Sequence, residues 1–223
     1  MIKQNIKFYD PIQDYIGNYY ADVKHIATGC SRLDKALGGG FITPSIAVIC
    51  GKPLTDDTGL LNGLRIQNGD NKKMIVTYGK SAFFDNCKGE HIRLDRDTNQ
   101  VEDIAAAICS TKPDMIFIDG FEHIRTANKF DSEYYRLYDV ILKLREAARR
   151  ADSCIIILSQ LSQFNDVDGI PDLNDCEVLE EISDYIVEIY RPNCTAPSEN
   201  ELFALPKNKH GATIKAFSKY NPA

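Results

Sequence analysis

Short apolar runs recur along the chain with room for one helix between successive runs. Ser45 to Cys50 (SIAVIC), Lys73 to Thr77 (KMIVT), Met115 to Ile118 and Cys154 to Leu158 (CIIIL) are each bounded by turn-forming or polar residues. Runs this short and this uniformly apolar suit strands covered on both faces, as in a parallel sheet. Helical spacing fills the intervals: Ser31 to Leu37 ahead of the turn Gly38-Gly39-Gly40, Thr58 to Ile66, Val101 to Cys109, and Asp131 to Arg150. The last is the longest, with Leu137, Ile141, Leu144 and Ala148 on one face. The alternation predicts an α/β protein whose central sheet is mainly parallel and flanked by helices. Beyond Asp184 the pattern changes to YIVEIY, ELFAL and ATIKAF, separated by NCTAPSEN and PKNKHG. These runs are expected to add antiparallel strands at the C-terminal side of the sheet.

Ahead of this block, Phe8, Ile12, Tyr15, Ile16, Tyr19 and Tyr20 recur at spacings of three and four, with Pro11 suited to a helix start. Residues 1–25 therefore read as an N-terminal amphipathic linker or docking segment, and 26–223 as one domain. The aromatic stripe needs a surface to pack on: its own domain, a neighbouring subunit or another protein. Periodicity does not choose between them.

The 223 residues are 43% hydrophobic and 26% charged, enough for one domain with a substantial core. Seven cysteines occur without a CxxC pair, so buried reduced thiols are expected rather than a disulfide framework or a metal site. The start MIKQNIKFYD lacks a signal-peptide core, and no run approaches membrane-spanning length. A cytoplasmic protein with no membrane partner is the expectation. The formal net charge of -6 is unevenly spread, since residues 151–190 contain no Lys or Arg. That stretch repels nucleic-acid phosphates. His25, His91, His123 and His210 show no metal-ligand spacing, and no Ser sits in GxSxG.

The chemistry of interest lies after SIAVIC. Gly51 to Thr58 reads GKPLTDDT where a phosphate-binding loop reads GxxxxGKT. Such a loop curls backbone N–H groups around phosphates, with a glycine for close approach and a lysine for charge. Asp56 and Asp57 put two carboxylates there instead, and their repulsion of a polyphosphate in a partly desolvated pocket amounts to several kcal/mol. A tight, ordinary ATP site is not expected.

The order of segments resembles the RecA-like motor core, and specifically the C-terminal domain of replicative DNA helicases of the DnaB family. TGCSRLDKALGGGF is similar to that family's lead-in to the first strand, MIFIDGFEHI to its Walker B strand and ILSQLSQ to its strand-end sensor. DLNDCEVLEEISDYIVEIYRP and LPKNKHGATIKAF resemble its later strands and basic hairpin. The resemblance spans roughly residues 26–218 and implies a RecA-like P-loop NTPase fold with a degenerate Walker A motif.

What the resemblance implies residue by residue is a set of losses. In the nucleotide-site positions Gly51, Lys52, Asp56, Asp57, Thr58, Asp119 and Gln160, Asp56 replaces the loop glycine and Asp57 the loop lysine. Thr58 matches the hydroxyl that holds Mg²⁺, and Gln160 the glutamine that senses the γ-phosphate. Asp119 ends the Walker B strand, where a carboxylate either binds a metal through water or caps the next helix; the capping role is expected. Lys80 falls near the family's catalytic glutamate and is no base while protonated. An ion pair between Asp57 and Lys80 would fill the vacated site. Lys207 and Lys209 fall where the family has a lysine and an arginine finger that reach the neighbouring subunit, and a lysine lacks the bidentate phosphate grip of an arginine. With Phe8, Ile12, Tyr15 and Tyr19 they are the expected inter-subunit contacts.

The resulting expectation is a catalytically degenerate DnaB-like domain with no catalytic residues, no metal and no nucleotide cofactor, working in replication or repair by self-association or by docking on a related helicase. Two alternatives stand beside it. One is an ATP- and Mg²⁺-dependent helicase with a rewired loop that borrows Lys52 or Lys72. The other is a nucleotide-independent nucleic-acid-binding accessory protein relying on Arg145, Arg149, Arg150, Lys207, Lys209, His210 and Lys215.

Overall fold

The computed structural model describes residues 23–52, 59–78, 91–94, 98–160, 177–190 and 202–218. A two-stranded antiparallel pair, β1 (His25–Ile26) and β2 (Phe41–Ile42), precedes an eight-stranded sheet. Its strands in chain order are β3 (Ser45–Lys52), β4 (Lys73–Thr77), β5 (His91–Leu94), β6 (Met115–Asp119), β7 (Cys154–Gln160), β8 (Tyr185–Tyr190), β9 (Leu202–Asn208) and β10 (Ile214–Ser218). In space they run β10-β9-β8-β3-β7-β6-β4-β5. The described helices are α1 (Ser31–Ala36), α2 (Gly59–Gln67), α3 (Val101–Thr111), α4 (Glu133–Ala151) and α5 (Glu177–Ile182).

Period-two alternation along β3 divides the core. Ile46, Val48 and Cys50 face α3, α4 and α5, whereas Ala47 and Ile49 face α1, α2 and the β1–β2 pair. Because both faces are covered, the central strands read as unbroken apolar runs rather than alternating ones. α4 buries Leu137, Val140, Ile141, Leu144, Ala147 and Ala148 on one face, as its periodicity predicts. α3 and α4 each stop at a non-glycine residue in the left-handed region, Lys112 at φ 46° and Asp152 at φ 54°. Lys112 N–H closes back onto the Ile108 carbonyl at 2.9 Å, which stops the helix a few residues ahead of β6.

The predicted mainly parallel α/β architecture is present, with one correction. YIVEIY, expected to run antiparallel, lies parallel to β3 with Ala47 opposite Tyr185 and Lys52 opposite Tyr190. α5 precedes it and returns the chain to the starting edge of the sheet, so this connection is a crossover rather than a hairpin. Within the eight-stranded sheet only the β8–β9 and β9–β10 pairings are antiparallel. β5, on the far edge, and α5 are too short and too polar in sequence to have been anticipated.

The lead-in TGCSRLD is a built corner. The Asp34 carboxylate accepts from Thr28 N–H at 2.7 Å, Thr28 Oγ1 at 2.7 Å and Gly29 N–H at 3.2 Å. Asn68 Nδ2, just past α2, donates to the Ala27 carbonyl at 2.7 Å. Helix α2, which follows the 53–58 loop, is thereby anchored to the segment before α1.

Candidate functional site

Parallel strands place their C-terminal ends along one edge of the sheet, where ligands of open α/β folds bind. Gly51 of β3 stands opposite Gln160 of β7, and Asp119 of β6 stands opposite Leu158 of β7 and Thr77 of β4. Gly51, Lys52, Asp119 and Gln160, predicted from separate motifs, thus lie on one edge. Asp56, Asp57 and Thr58 follow directly from Lys52 but lie outside the described residues, as do Lys80 and its proposed pairing with Asp57. Lys72 is at the opposite edge: it precedes the first residue of β4, and its N–H donates to Asp114 at 2.6 Å. The geometry therefore removes Lys72 as a substitute for the loop lysine.

Gly120, at φ 91°, precedes the 3₁₀ turn Phe121–His123, and Thr77 Oγ1 donates to the Asp119 carboxylate at 3.5 Å. A side chain at Gly120 would meet His123 Cδ2 at 3.0 Å and Tyr78 Cδ2 at 3.2 Å. Glycine is needed there for a left-handed turn and for two rings that approach edge to face at 5.7 Å. The Tyr78 hydroxyl donates to the Thr98 carbonyl at 3.1 Å, and burial pushes its pKa up to about 12. Beneath the edge, Cys50 lies opposite Glu188, and burial, then the Glu188 charge, pushes its thiol well above the ordinary range.

Lys207 and Lys209 lie at the other end of β8. Lys207 stands opposite Ile186, and Asn208 opposite Tyr185, whereas Lys52 stands opposite Tyr190. Five strand residues, about 16 Å, separate these levels. Both lysines engage the end of α5 in their own chain. Lys207 Nζ donates to the carbonyls of Glu180 and Glu181, the latter at 3.0 Å, and Lys209 Nζ to the Ile182 carbonyl at 3.0 Å. These are the last carbonyls of a helix, where cations are favoured. Asp184 centres the cluster: Lys209 Nζ and Arg145 Nη2 each approach its carboxylate at 3.3 Å, and it accepts from Ile46 N–H at 2.9 Å. Burial and the neighbouring Lys209 lower the Lys207 pKa. Arg145, grouped by sequence with Arg149 and Arg150 as a basic patch, is committed to this cluster. Phe8, Ile12, Tyr15 and Tyr19 lie outside the described residues.

No protein-family model matches the chain, and no curated protein does. Solved structures do. The ATPase domain of G40P superposes with a TM-score of 0.70 at 19% identity, covering 93% of this chain and 92% of that one. A DnaB-like replicative helicase, described with its interactions with primase, superposes with a TM-score of 0.70 at 18% identity. This chain spans 62% of that helicase's length, with 93% of its own residues matched. The chain has the RecA-like fold of DnaB-like helicase ATPase domains.

Within that RecA-like fold, sequence reasoning missed the Asp184 cluster. Its partners come from β3, α4 and the β9–β10 turn, and no local spacing connects them. It also missed a second polar network, in which Lys143 Nζ meets Glu102 at 2.7 Å, Asp139 at 2.6 Å and Thr126 at 2.7 Å. The i,i+4 spacing of Asp139 and Lys143 was the one visible signal. No helix among the described residues is long and apolar enough to cross a membrane.

Proposed function

We propose that this chain is a catalytically degenerate DnaB-like domain that acts as a binding or assembly component in DNA replication or repair. The observation that carries it is the pair Asp56-Asp57, standing between β3 and α2 where a RecA-like fold needs a glycine and a lysine. That donor set does not fit a polyphosphate: two carboxylates oppose its charge, and neither Lys80 nor Lys209 restores the missing base or arginine. A RecA-like scaffold anchored from both sides of the loop has reason to persist without hydrolysis if its surfaces are what matter. One of the proteins sharing this fold is described with its interactions with primase, which supports a replication protein or a second copy of this chain as partner.

Calorimetric titration with Mg²⁺ and a non-hydrolysable ATP analogue tests the vacated site, run beside an Asp56→Gly, Asp57→Lys double variant. Absence of heat with the unaltered protein and recovery with the variant supports the proposal. Micromolar binding by the unaltered protein overturns it in favour of an ATPase with a rewired loop. Assembly is tested separately: removing residues 8–20 is expected to lower the mass in light scattering, and an unchanged mass rules out the N-terminal segment as the contact.

A further inference from the structure

Helix α4 turns one face to the core and leaves a second apolar stripe outside. Tyr135 and Leu142 are seven residues apart, two turns, so they stand one above the other about 10 Å apart on the same side. They are 61% and 44% exposed. Tyr138, three residues beyond Tyr135, widens the stripe. Tyr134 borders it, its ring 5.4 Å from that of Tyr135 and 6.1 Å from that of Tyr138. The buried face, Leu137 to Ala148, packs without Tyr135 or Leu142, while Tyr134 and Tyr138 are half-buried against the core.

The neighbouring element is acidic. The Tyr134 hydroxyl donates to the Glu181 carboxylate at 2.8 Å, which ties the stripe to α5. α5 exposes Glu177, Glu180 and Glu181, and residues 151–190 contain no Lys or Arg. Lys207 reaches the main-chain carbonyls of Glu180 and Glu181, close enough for the Glu180 charge to act on it. Arg136, on α4 itself, is taken up by Glu133 and by the carbonyls of Glu122 and Ile124. Large aromatic anchors beside a rim rich in one charge are the features of a recognition surface.

We propose that the outer face of α4, with the acidic rim of α5, is a docking surface for a basic amphipathic helix of a partner protein. Its apolar anchors, at spacings of three, four and seven, pack on Tyr135, Tyr138 and Leu142, and its Lys and Arg side chains lie over Glu177, Glu180 and Glu181. Charge selects this occupant. A two-fold pairing of this face with a second copy about an axis running across α4 sets acidic rim against acidic rim, and nucleic-acid phosphates are repelled by the same carboxylates. The surface is independent of whether the 53–58 loop binds nucleotide.

The test is fluorescence anisotropy of the full chain with a labelled Lys/Leu amphipathic helical peptide, beside a Glu/Leu peptide of the same pattern. Binding of the basic probe with a Kd on the order of 10 µM is expected, at least about tenfold tighter than the acidic one. Tyr135→Ser with Leu142→Ser is expected to weaken it about tenfold while leaving the thermal melt unchanged, because both positions are exposed. Glu177→Gln, Glu180→Gln and Glu181→Gln together are expected to weaken it and flatten its salt dependence. The single Tyr135→Ala repeats the test if the double variant misfolds. Equal binding by the stripe variants, equal binding of both peptides, or no binding of the basic one overturns the proposal. So does a dimer in light scattering that the stripe variant converts to monomer, which assigns the face to a second copy.

Discussion

Gly29 and Gly63 meet backbone to backbone: a Cβ placed on Gly29 falls 2.6 Å from Gly63 Cα, and one on Gly63 falls 2.4 Å from the Thr28 carbonyl oxygen. Side chains do not occupy such distances. The contact presses the TGCSRLD corner against α2 and fixes the helix that starts immediately after the 53–58 loop. Gly63→Ala is expected to cost about 2–4 kcal/mol, because both neighbours are backbone and cannot rotate away. Gly29→Ala adds strain at φ 78°. Urea denaturation measures both, and a loss below about 0.5 kcal/mol for Gly63→Ala means the corner and α2 separate without cost.

The Asp184 cluster makes a second expectation about stability. Asp184→Ala strands Arg145 and Lys209 and removes the acceptor of Ile46 N–H, for a cost of about 2–4 kcal/mol. Lys209→Met and Lys207→Met are partly exposed and are expected to cost about 1 kcal/mol each, through the loss of helix-end contacts. If the lysine variants denature like the parent protein but lose oligomer mass in light scattering, the contacts to α5 are incidental and the lysines serve a neighbouring subunit.

The network around Lys143 gives an acid dependence. Burial alone raises the Glu102 pKa, but hydrogen bonds from Lys143, from backbone N–H groups including that of Ala127, and from Thr126 outweigh it and hold Glu102 at about 2. Asp139 is lowered too, as Lys143 and Thr126 overcome its burial. A carboxylate depressed in the folded state stabilises above its unfolded value and loses that contribution as pH falls through the folded value. Stability from this network is therefore complete above about pH 5 and lost progressively toward pH 2. Lys143, whose pKa is raised by Asp139 and Glu102 against its burial, extends the contribution into the alkaline range. In Lys143→Met, chemical denaturation between pH 5 and 2 is expected to show a shallower fall than in the parent protein. An identical slope assigns the acid sensitivity elsewhere.

Thiol reactivity separates buried from half-buried cysteines. Burial pushes Cys154 up to about 12 despite a hydrogen bond from Ser45, and Cys50 is pushed higher still. In native protein at pH 8, iodoacetamide is expected to label Cys109 well ahead of Cys50, Cys154 and Cys30. Peptide mass spectrometry reads the order, and early labelling of Cys50 would mean that the strand edge above it opens readily.

The sequence by itself determined the layered α/β fold, because strands covered on both faces must be continuous apolar runs and helices must carry a 3.6-residue stripe. Lys73–Thr77 and Glu133–Ala151 were legible for that reason. It also determined the substitution of Asp56 and Asp57 in the loop, a matter of residue identity alone. Tertiary structure decided the direction of β8, since a run such as YIVEIY is apolar whether it pairs parallel or antiparallel and only the return path through α5 settles it. It decided that Lys72 stands at the wrong edge and that Arg145, Lys207 and Lys209 converge on α5 and Asp184. Charges separated by 25 to 39 positions in the chain meet only when a sheet brings its strands together, and no local spacing encodes that meeting.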